Sequence, residues 1–231
     1  ARIGVSRIMS PQLDGRVSVG MEEAEDQSIW VGNAKLNYRP VETLTLRAEA
    51  DRDYWLISPR SVSLHVRDTS GRLTAEWRPN LSDTLVLNGR YDDLSDGNER
   101  WEVSLAPRRA VVRSEQLNLD LGARALGSGY STNLNNGYYD PETFQQYAAT
   151  AFAYWKISPQ SGLSAIGSAG YYRDDTMGEF DFGWSIDGEL TAGAFSDWML
   201  RISGSVFENF RPGDTPAFRA YAAGLALTRR F

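Results

Sequence analysis

The chain has 231 residues, a formal net charge of −6 at pH 7 and no cysteine. The acidic balance argues against a nucleic-acid partner, which requires a basic face. The lack of cysteine excludes disulfides and a thiol nucleophile. The mean hydropathy is negative, and no apolar run approaches the roughly 20 residues of a membrane-spanning helix. A transmembrane β-barrel stays open, because its strands are apolar on only one face.

Apolar and polar residues alternate with a period of two along the whole chain. Residues 44–51 and 117–125 are clear examples, in which leucines and alanines alternate with polar or charged residues. Side chains on a strand point to opposite faces in turn, so each segment has one apolar and one polar face. Turn signals rich in Pro, Gly, Asn and Asp separate the runs. The pattern predicts thirteen strands, near residues 2–9, 16–24, 29–38, 43–56, 67–78, 84–94, 100–109, 116–128, 144–156, 163–174, 180–192, 198–208 and 217–231.

Aromatic residues are predicted at both ends of these strands. If the last strand ends in the periplasm, the periplasmic ends carry Tyr38, Trp77, Trp155, Trp198 and Phe231. The extracellular ends then carry Trp30, Trp55, Tyr91, Trp101, Tyr171 and Phe218. Two aromatic belts are typical of outer-membrane barrels, whereas a β-sandwich gathers its aromatic residues in a shared core. The predicted fold class is therefore an all-β, antiparallel transmembrane β-barrel of the bacterial outer membrane.

The strand number and the chain end lead to two further expectations. Thirteen strands is an odd number, whereas single-chain bacterial barrels have an even number. We therefore expect residues 1–231 to be a barrel domain that belongs to a barrel of about 14 to 16 strands. The last predicted strand closes on Phe231. A terminal aromatic residue in this position is predicted to serve as the assembly signal for the barrel-assembly machinery.

The polar faces of the predicted strands carry more acids than bases. One interpretation is that these groups form cross-strand salt bridges, for example with Lys35 or Arg47, which hold a wet interior together. The other is a permeation path with weak cation preference, whose carboxylates and hydroxyls hydrogen-bond a sugar chain. The residues predicted to line this path are Glu49, Asp51, Asp53, Asp92, Glu102, Asp120, Asp181, Asp187 and Glu189.

Catalytic motifs are not found in the sequence. His65 is the only histidine, and its proximity to Ser61 and Ser63 in the sequence does not by itself build a catalytic triad. The segment Asp96-Gly97-Asn98 has the composition of a hairpin turn rather than of a calcium loop. We expect neither an enzyme nor a cofactor or metal.

Short motifs occur in a characteristic order along the chain. The run Tyr38-Arg39-Pro40-Val41-Glu42 is followed by Ser58-Pro59-Arg60 and by Ala75-Glu76-Trp77-Arg78-Pro79-Asn80. The hairpin Ser95-Asp96-Gly97-Asn98 comes next, and then Gly137-Tyr138-Tyr139-Asp140-Pro141-Glu142 with five strands after it. Over residues 16–231 this order resembles the C-terminal barrel of bacterial exopolysaccharide export porins. Among these porins the resemblance is notably to the poly-β-1,6-N-acetylglucosamine exporter, and the cellulose-secretion porin is similar in plan.

The resemblance implies a porin that exports an exopolysaccharide, poly-N-acetylglucosamine or cellulose-like, through its lumen in biofilm formation. It also implies a 16-stranded barrel preceded by a periplasmic helical-repeat domain, with outer-membrane lipid and a polysaccharide synthase complex as partners. The family's polymer is partly deacetylated and cationic, which suits an acid-rich lumen. Arg229 departs from the usual assembly signal, where an apolar residue is commoner. The alternatives are a protein-handling or receptor barrel, such as one for surface lipoprotein delivery or phage binding, and an outer-membrane enzyme.

Overall fold

The structure is a computed structural model that describes residues 2–24, 27–55, 59–134, 136–194, 196–208 and 219–229. Almost all of these residues lie in strands, because the two-residue alternation suits a sheet with one apolar and one polar face. The strands are β1 (Arg2–Ser10), β2 (Leu13–Ala24), β3 (Gln27–Val41), β4 (Leu44–Tyr54), β5 (Arg67–Trp77), β6 (Asp83–Leu94), β7 (Glu99–Arg113), β8 (Leu117–Tyr130), β9 (Phe144–Ser158), β10 (Ser161–Asp174), β11 (Asp181–Ala192), β12 (Trp198–Glu208) and β13 (Arg219–Arg229).

The thirteen strands follow one another in a single sheet, in the order of the sequence. Short turns of two residues, at 11–12, 42–43 and 159–160, join neighbouring strands and impose antiparallel pairing. The predicted strands are all present, and the largest difference is at β7, which continues to Arg113 rather than 109. The segment around Ser58-Pro59-Arg60, expected as a loop, includes the short helix α1 (Pro59–Ser63). None of the described helices is long and apolar enough to cross a membrane.

The strands group into two compact units. The first unit contains residues 1–105, 126–145 and 174–176, and the second contains residues 106–125, 146–173 and 177–231. Each unit has an apolar face on which large side chains are exposed, and a polar face, on which the charged groups concentrate.

In the first unit, the register between strands sorts the side chains onto the two faces. Leu36, Ala48 and Leu73 form one cross-strand row of the apolar face. Trp30 and Trp77 also lie on this face and are 64% and 48% exposed. A continuous face of exposed apolar and aromatic side chains is typical of a surface that contacts a membrane or another protein.

The second unit has the same division between faces. Leu190, Ile202 and Leu225 lie in one row of its apolar face, between neighbouring strands. Trp155 and Trp198 are exposed on this face as well. The contact of these tryptophans with lipid at the periplasmic interface stays a prediction.

Trp55 departs from the predicted aromatic belts. Strand β4 ends at Tyr54, so the alternation no longer fixes the direction of the next side chain. Trp55 is buried in a small core with Val66, Leu94 and Tyr138, and its assignment to an extracellular belt is wrong. Two other predicted aromatic positions, Phe218 and the assembly signal Phe231, lie outside the described residues.

Candidate functional site on the polar face

The polar face of the first unit is crossed by rows of charged residues. One row runs through Arg16, Lys35, Glu49, Arg72 and Arg90, which are register partners on β2 to β6. The Lys35 Nζ lies 2.6 Å from the Glu49 Oε1. Within this row only Glu49 is acidic, so its pairings with Lys35 and Arg72 join opposite charges and stabilise the sheet, whereas Arg16 with Lys35 and Arg72 with Arg90 place like charges opposite each other.

Asp92 is the centre of a larger ionic network on the same face. Its Oδ1 accepts a hydrogen bond of 2.6 Å from the Arg90 Nε, and its Oδ2 lies 3.5 Å from the Arg100 Nη1. Arg90 also reaches Asp68 at 3.2 Å, and Arg100 also pairs with Glu102. Asp92 is fully buried, so its two arginine partners provide the compensation that a carboxylate removed from water requires.

The two arginines of this network also contact aromatic rings. The Arg90 guanidinium lies 6.0 Å from the centre of the Trp55 ring, and that of Arg100 lies 5.9 Å from the Tyr130 ring. Such contacts attract a cation to the negative face of the ring. The ionic network and the small apolar core around Trp55 are therefore one connected structure.

Asn98 joins the β6–β7 hairpin to the segment that follows β8. Its side chain is fully buried, and its Nδ2 donates to the Thr132 carbonyl oxygen at 2.7 Å. Its Oδ1 accepts from the backbone N–H of Glu99 at 3.0 Å and of Thr132 at 3.1 Å, and from the Ser131 hydroxyl at 2.9 Å. These partners satisfy the amide on both ends, as burial demands.

Tyr138 forms a second connection to the same hairpin. Its hydroxyl donates to the Asp96 Oδ2 at 2.7 Å, and the Asn136 Nδ2 donates to the same oxygen at 3.1 Å. Burial, and next the hydrogen bond to Asp96, raises the pKa of Tyr138 above its usual value. The Asp96 carboxylate thus serves as an anchor for residues 136–138.

The second unit has a different polar face along β10 to β13. Small or hydroxyl-bearing residues dominate it, and the Ser168 and Ser185 hydroxyls are 2.7 Å apart. A concave hollow of about 530 Å³ lies on this part of the sheet. Its lining includes Ser164, Asp187, Ser203, Ser205, Ala222 and Gly224.

Among the described residues, every predicted pore-lining acid except Asp187 has an ion pair or a hydrogen bond. In the first unit, Asp51 accepts a hydrogen bond from the Asn33 Nδ2 at 3.1 Å, and Asp53 accepts one from the backbone N–H of Tyr54 at 2.8 Å. Glu49, Asp92 and Glu102 are ion-paired, as described above.

In the second unit, Asp120 pairs with Arg113 at 2.5 Å, and Glu189 pairs with Arg201 at 3.3 Å. Asp181 accepts from the Tyr172 hydroxyl at 3.2 Å. Within the described residues Asp187 has no ion pair and no hydrogen bond, and its side chain is exposed at the hollow. The cross-strand salt-bridge interpretation therefore describes several of these acids but not Asp187.

The serines near His65 have structural partners. The Ser61 hydroxyl donates to the Trp55 carbonyl oxygen at 2.8 Å, and the Ser63 hydroxyl donates to the Arg60 carbonyl oxygen at 2.9 Å. His65 has a positive φ of 52° in the turn that follows α1, where the chain leads towards β5. In the described part of the chain, no group of three or more His, Asp and Glu residues is arranged to hold a metal ion.

Sequence reasoning did not identify Asn98 and Tyr138 as a connected pair. They are 40 positions apart, and the motifs around them contain only turn-forming and aromatic residues. The sequence offers two signals. One is the aromatic residue Tyr138 directly after Gly137, and the other is an asparagine directly after a glycine in a hairpin. Neither signal indicates which residue the side chain contacts.

Similarity to a solved structure supports the fold. No family model and no curated protein sequence matches this chain. A solved structure titled "Bacterial polysaccharide outer membrane secretin" is similar over 100% of this chain and 79% of its own chain, with a TM-score of 0.82 and 17% sequence identity. The predicted all-β antiparallel fold class is confirmed by this similarity and by the sheet order.

Proposed function

We propose that this chain is an outer-membrane transport barrel through which a polysaccharide passes along the polar face of the sheet. The observation that carries the proposal is the hollow on β10 to β13, where serine hydroxyls and the Asp187 carboxylate, which has no ion pair or hydrogen bond among the described residues, lie among alanine and glycine. The shared fold supports it, because the similar protein is described as a polysaccharide secretin of the outer membrane.

The chemistry of the hollow suits a sugar chain that has to move. Ser164, Ser203 and Ser205 each offer one hydroxyl, and Asp187 offers one carboxylate. A sugar therefore meets only a few hydrogen-bonding groups at each position along this wall. Ala222 and Gly224 leave room for the sugar rings. Weak contacts at several places permit binding without trapping, which conduction through a pore requires.

We infer further that the polymer is an exopolysaccharide of the poly-N-acetylglucosamine or cellulose type, exported in biofilm formation. The excess of acids over bases in the whole chain, 30 against 24, favours a neutral or partly cationic polymer over an anionic one. A periplasmic helical-repeat domain and a synthase complex are the proposed partners on the inner side. The nine acids predicted from the sequence, with Asp187 foremost, are the proposed lining of the path.

Two tryptophan substitutions at neighbouring positions test the proposal. Ala222 is the register partner of Ser205 on the polar face, whereas Ala223 is the partner of Gly204 on the apolar face. Ala222→Trp should fill the hollow, and single-channel recordings in planar bilayers should show lower conductance and weaker blockade by glucosamine oligomers. Ala223→Trp adds the same ring to the apolar face and should leave both quantities unchanged. Equal behaviour of the two variants would contradict a path along this wall.

A further inference from the structure

We propose that Tyr154 and Ile166, here called the platform, form an apolar surface on the polar face of the second unit, against which the C–H face of a sugar ring packs. This inference rests on the proposed transport function and specifies the chemistry of its ligand. The ligand class is a chain of β-linked pyranose rings with equatorial hydroxyls. Such rings carry C–H groups on both flat faces and hydroxyls at the rim.

Tyr154 projects from the polar face of the sheet. It precedes Trp155, which is exposed on the apolar face, and successive side chains of a strand point to opposite faces. The position of Gly162 gives the same answer. Gly162 lies two residues before Ser164 of the hollow, and a Cβ at Gly162 would lie 2.7 Å from the Tyr154 Cζ. The phenol end of the ring therefore lies over Gly162, on the same face as the hollow.

Gly162 leaves the space that the Tyr154 ring occupies. A Cβ at this position would also lie 2.8 Å from the Tyr154 Cε2, so any larger residue would displace the ring. Tyr154 is nevertheless 38% exposed, and within the described residues its hydroxyl has no hydrogen bond. The ring is thus supported by backbone and still accessible. A side chain that is positioned before the ligand arrives loses little conformational entropy on binding.

Ile166 extends the apolar surface along β10. It is the register partner of Asp187 and part of the lining of the hollow, and it is 53% exposed. Gly162, Ser164 and Ile166 follow one another on the same face, so the two ends of the platform are about 13 Å apart along the strand. Salt bridges between strands do not account for an exposed isoleucine on this face, whereas contact with the C–H groups of a ligand does.

The platform and the hollow together suit the two kinds of surface on such a sugar. The negative face of an aromatic ring attracts weakly positive C–H groups, and Ile166 adds apolar area that a sugar ring can cover. Ser164 and Asp187 line the same hollow as Ile166 and offer partners to the hydroxyls at the rim of the sugar. Both platform residues are uncharged, so this contact does not require a cationic polymer.

The duration of single block events tests the platform. The probe is a neutral, β-linked N-acetylglucosamine hexamer, added to the full-length protein in planar bilayers. Tyr154→Leu should shorten the mean block about fivefold, because it removes the ring and keeps an apolar side chain. Tyr154→Phe keeps the ring and should change the duration by less than about twofold. Ile166→Ser should shorten it about threefold, because it removes apolar contact area.

Controls separate sugar binding from changes in the pore. Tyr147 is an exposed tyrosine of the same strand, and it lies an even number of residues from Trp155, on the apolar face. Tyr147→Leu should therefore leave the block duration unchanged. Polyethylene glycol of equal mass has no sugar faces, and its effect on conductance should be the same in Tyr154→Leu and in the parent. Heat-modifiable migration on a gel verifies that each variant is folded.

The possible results separate this inference from the transport proposal. An unchanged block duration in either Tyr154→Leu or Ile166→Ser would overturn the platform, and the contact of Tyr154 with Gly162 would then only fill space in the sheet. Equal shortening by Tyr154→Phe and Tyr154→Leu would also overturn it, because the hydroxyl would then bind the sugar. In both cases the transport proposal stands if Ala222→Trp weakens blockade and Ala223→Trp does not. Failure of the hexamer to block the parent would overturn both proposals.

Discussion

The polar faces of the two units differ in how far they are covered by other side chains. Near β6 and β7, long arginines and buried carboxylates fill the space, and Asp92 is completely enclosed. Along β10 to β13, serine, alanine and glycine leave a hollow, and Asp187 faces it with no ion pair or hydrogen bond in the part of the chain that the structure describes. Both regions have the same alternation of polar and apolar residues. The comparison teaches that alternation assigns a residue to a face, whereas side-chain length and the returning loops decide whether that face is covered or open.

The largest expected effect concerns the covered region. Asn98→Leu should lower the free energy of opening of residues 131–143 by about 3 kcal/mol, because it leaves several buried N–H and hydroxyl groups without their acceptor. Hydrogen exchange of these backbone amides, followed by mass spectrometry, measures this quantity.

The matched control is Asn80→Leu. The Asn80 Oδ1 accepts from the backbone N–H groups of Ser82 and Asp83 at 2.8 Å, but in an exposed turn where water replaces it. The expected change there is below about 1 kcal/mol. Similar hydrogen exchange in both variants would show that Asn98 does not stabilise the covered region.

The strand plan could be predicted from the sequence, because each strand carries its own alternation and its own turn signals. The partners of the charged groups could not, since a pairing such as Lys35 with Glu49 depends on register between separate strands. A shift of two residues would keep every face and change every partner. Trp55 shows a second limit, because the alternation that assigns faces ends with the strand at Tyr54.

The next prediction compares a buried carboxylate with an exposed one. Asp92→Asn should destabilise the folded protein by about 3 kcal/mol, because Arg90 and Arg100 lose the negative charge between them. Asp187→Asn should leave stability within about 0.5 kcal/mol, because this side chain is exposed and has no ion pair among the described residues. Denaturant unfolding of the reconstituted protein, followed by tryptophan fluorescence, gives both values. A large loss of stability in Asp187→Asn would remove the distinction between the two regions.

A smaller effect is expected from the acids of β4. Asp51→Asn combined with Asp53→Asn should reduce the cation preference of the channel, on the order of twofold, because fixed charges on a wet face act through a screened potential. Asp51 already has the Asn33 amide as a donor, so folding should be preserved. Reversal potentials across a salt gradient in planar bilayers measure the preference. An unchanged ratio of cation to anion permeability would mean that these two carboxylates have only structural partners.

The smallest expected effect concerns the pKa of Tyr138, which lies in the covered region. Burial and the hydrogen bond to Asp96 favour the neutral phenol, so the folded pKa is raised above the value of about 10 for a free tyrosine. The stabilisation of the neutral form is fully present below pH 10 and is lost as the pH rises through the folded pKa. The hydrogen bond between Tyr138 and Asp96 should therefore hold at neutral pH and be lost only under strongly alkaline conditions. The difference between the 295 nm titration curves of the parent and of Tyr138→Phe isolates this one tyrosine among the 11 in the chain. Its midpoint should lie above pH 10, and a midpoint at or below that value would show that Tyr138 is accessible to water.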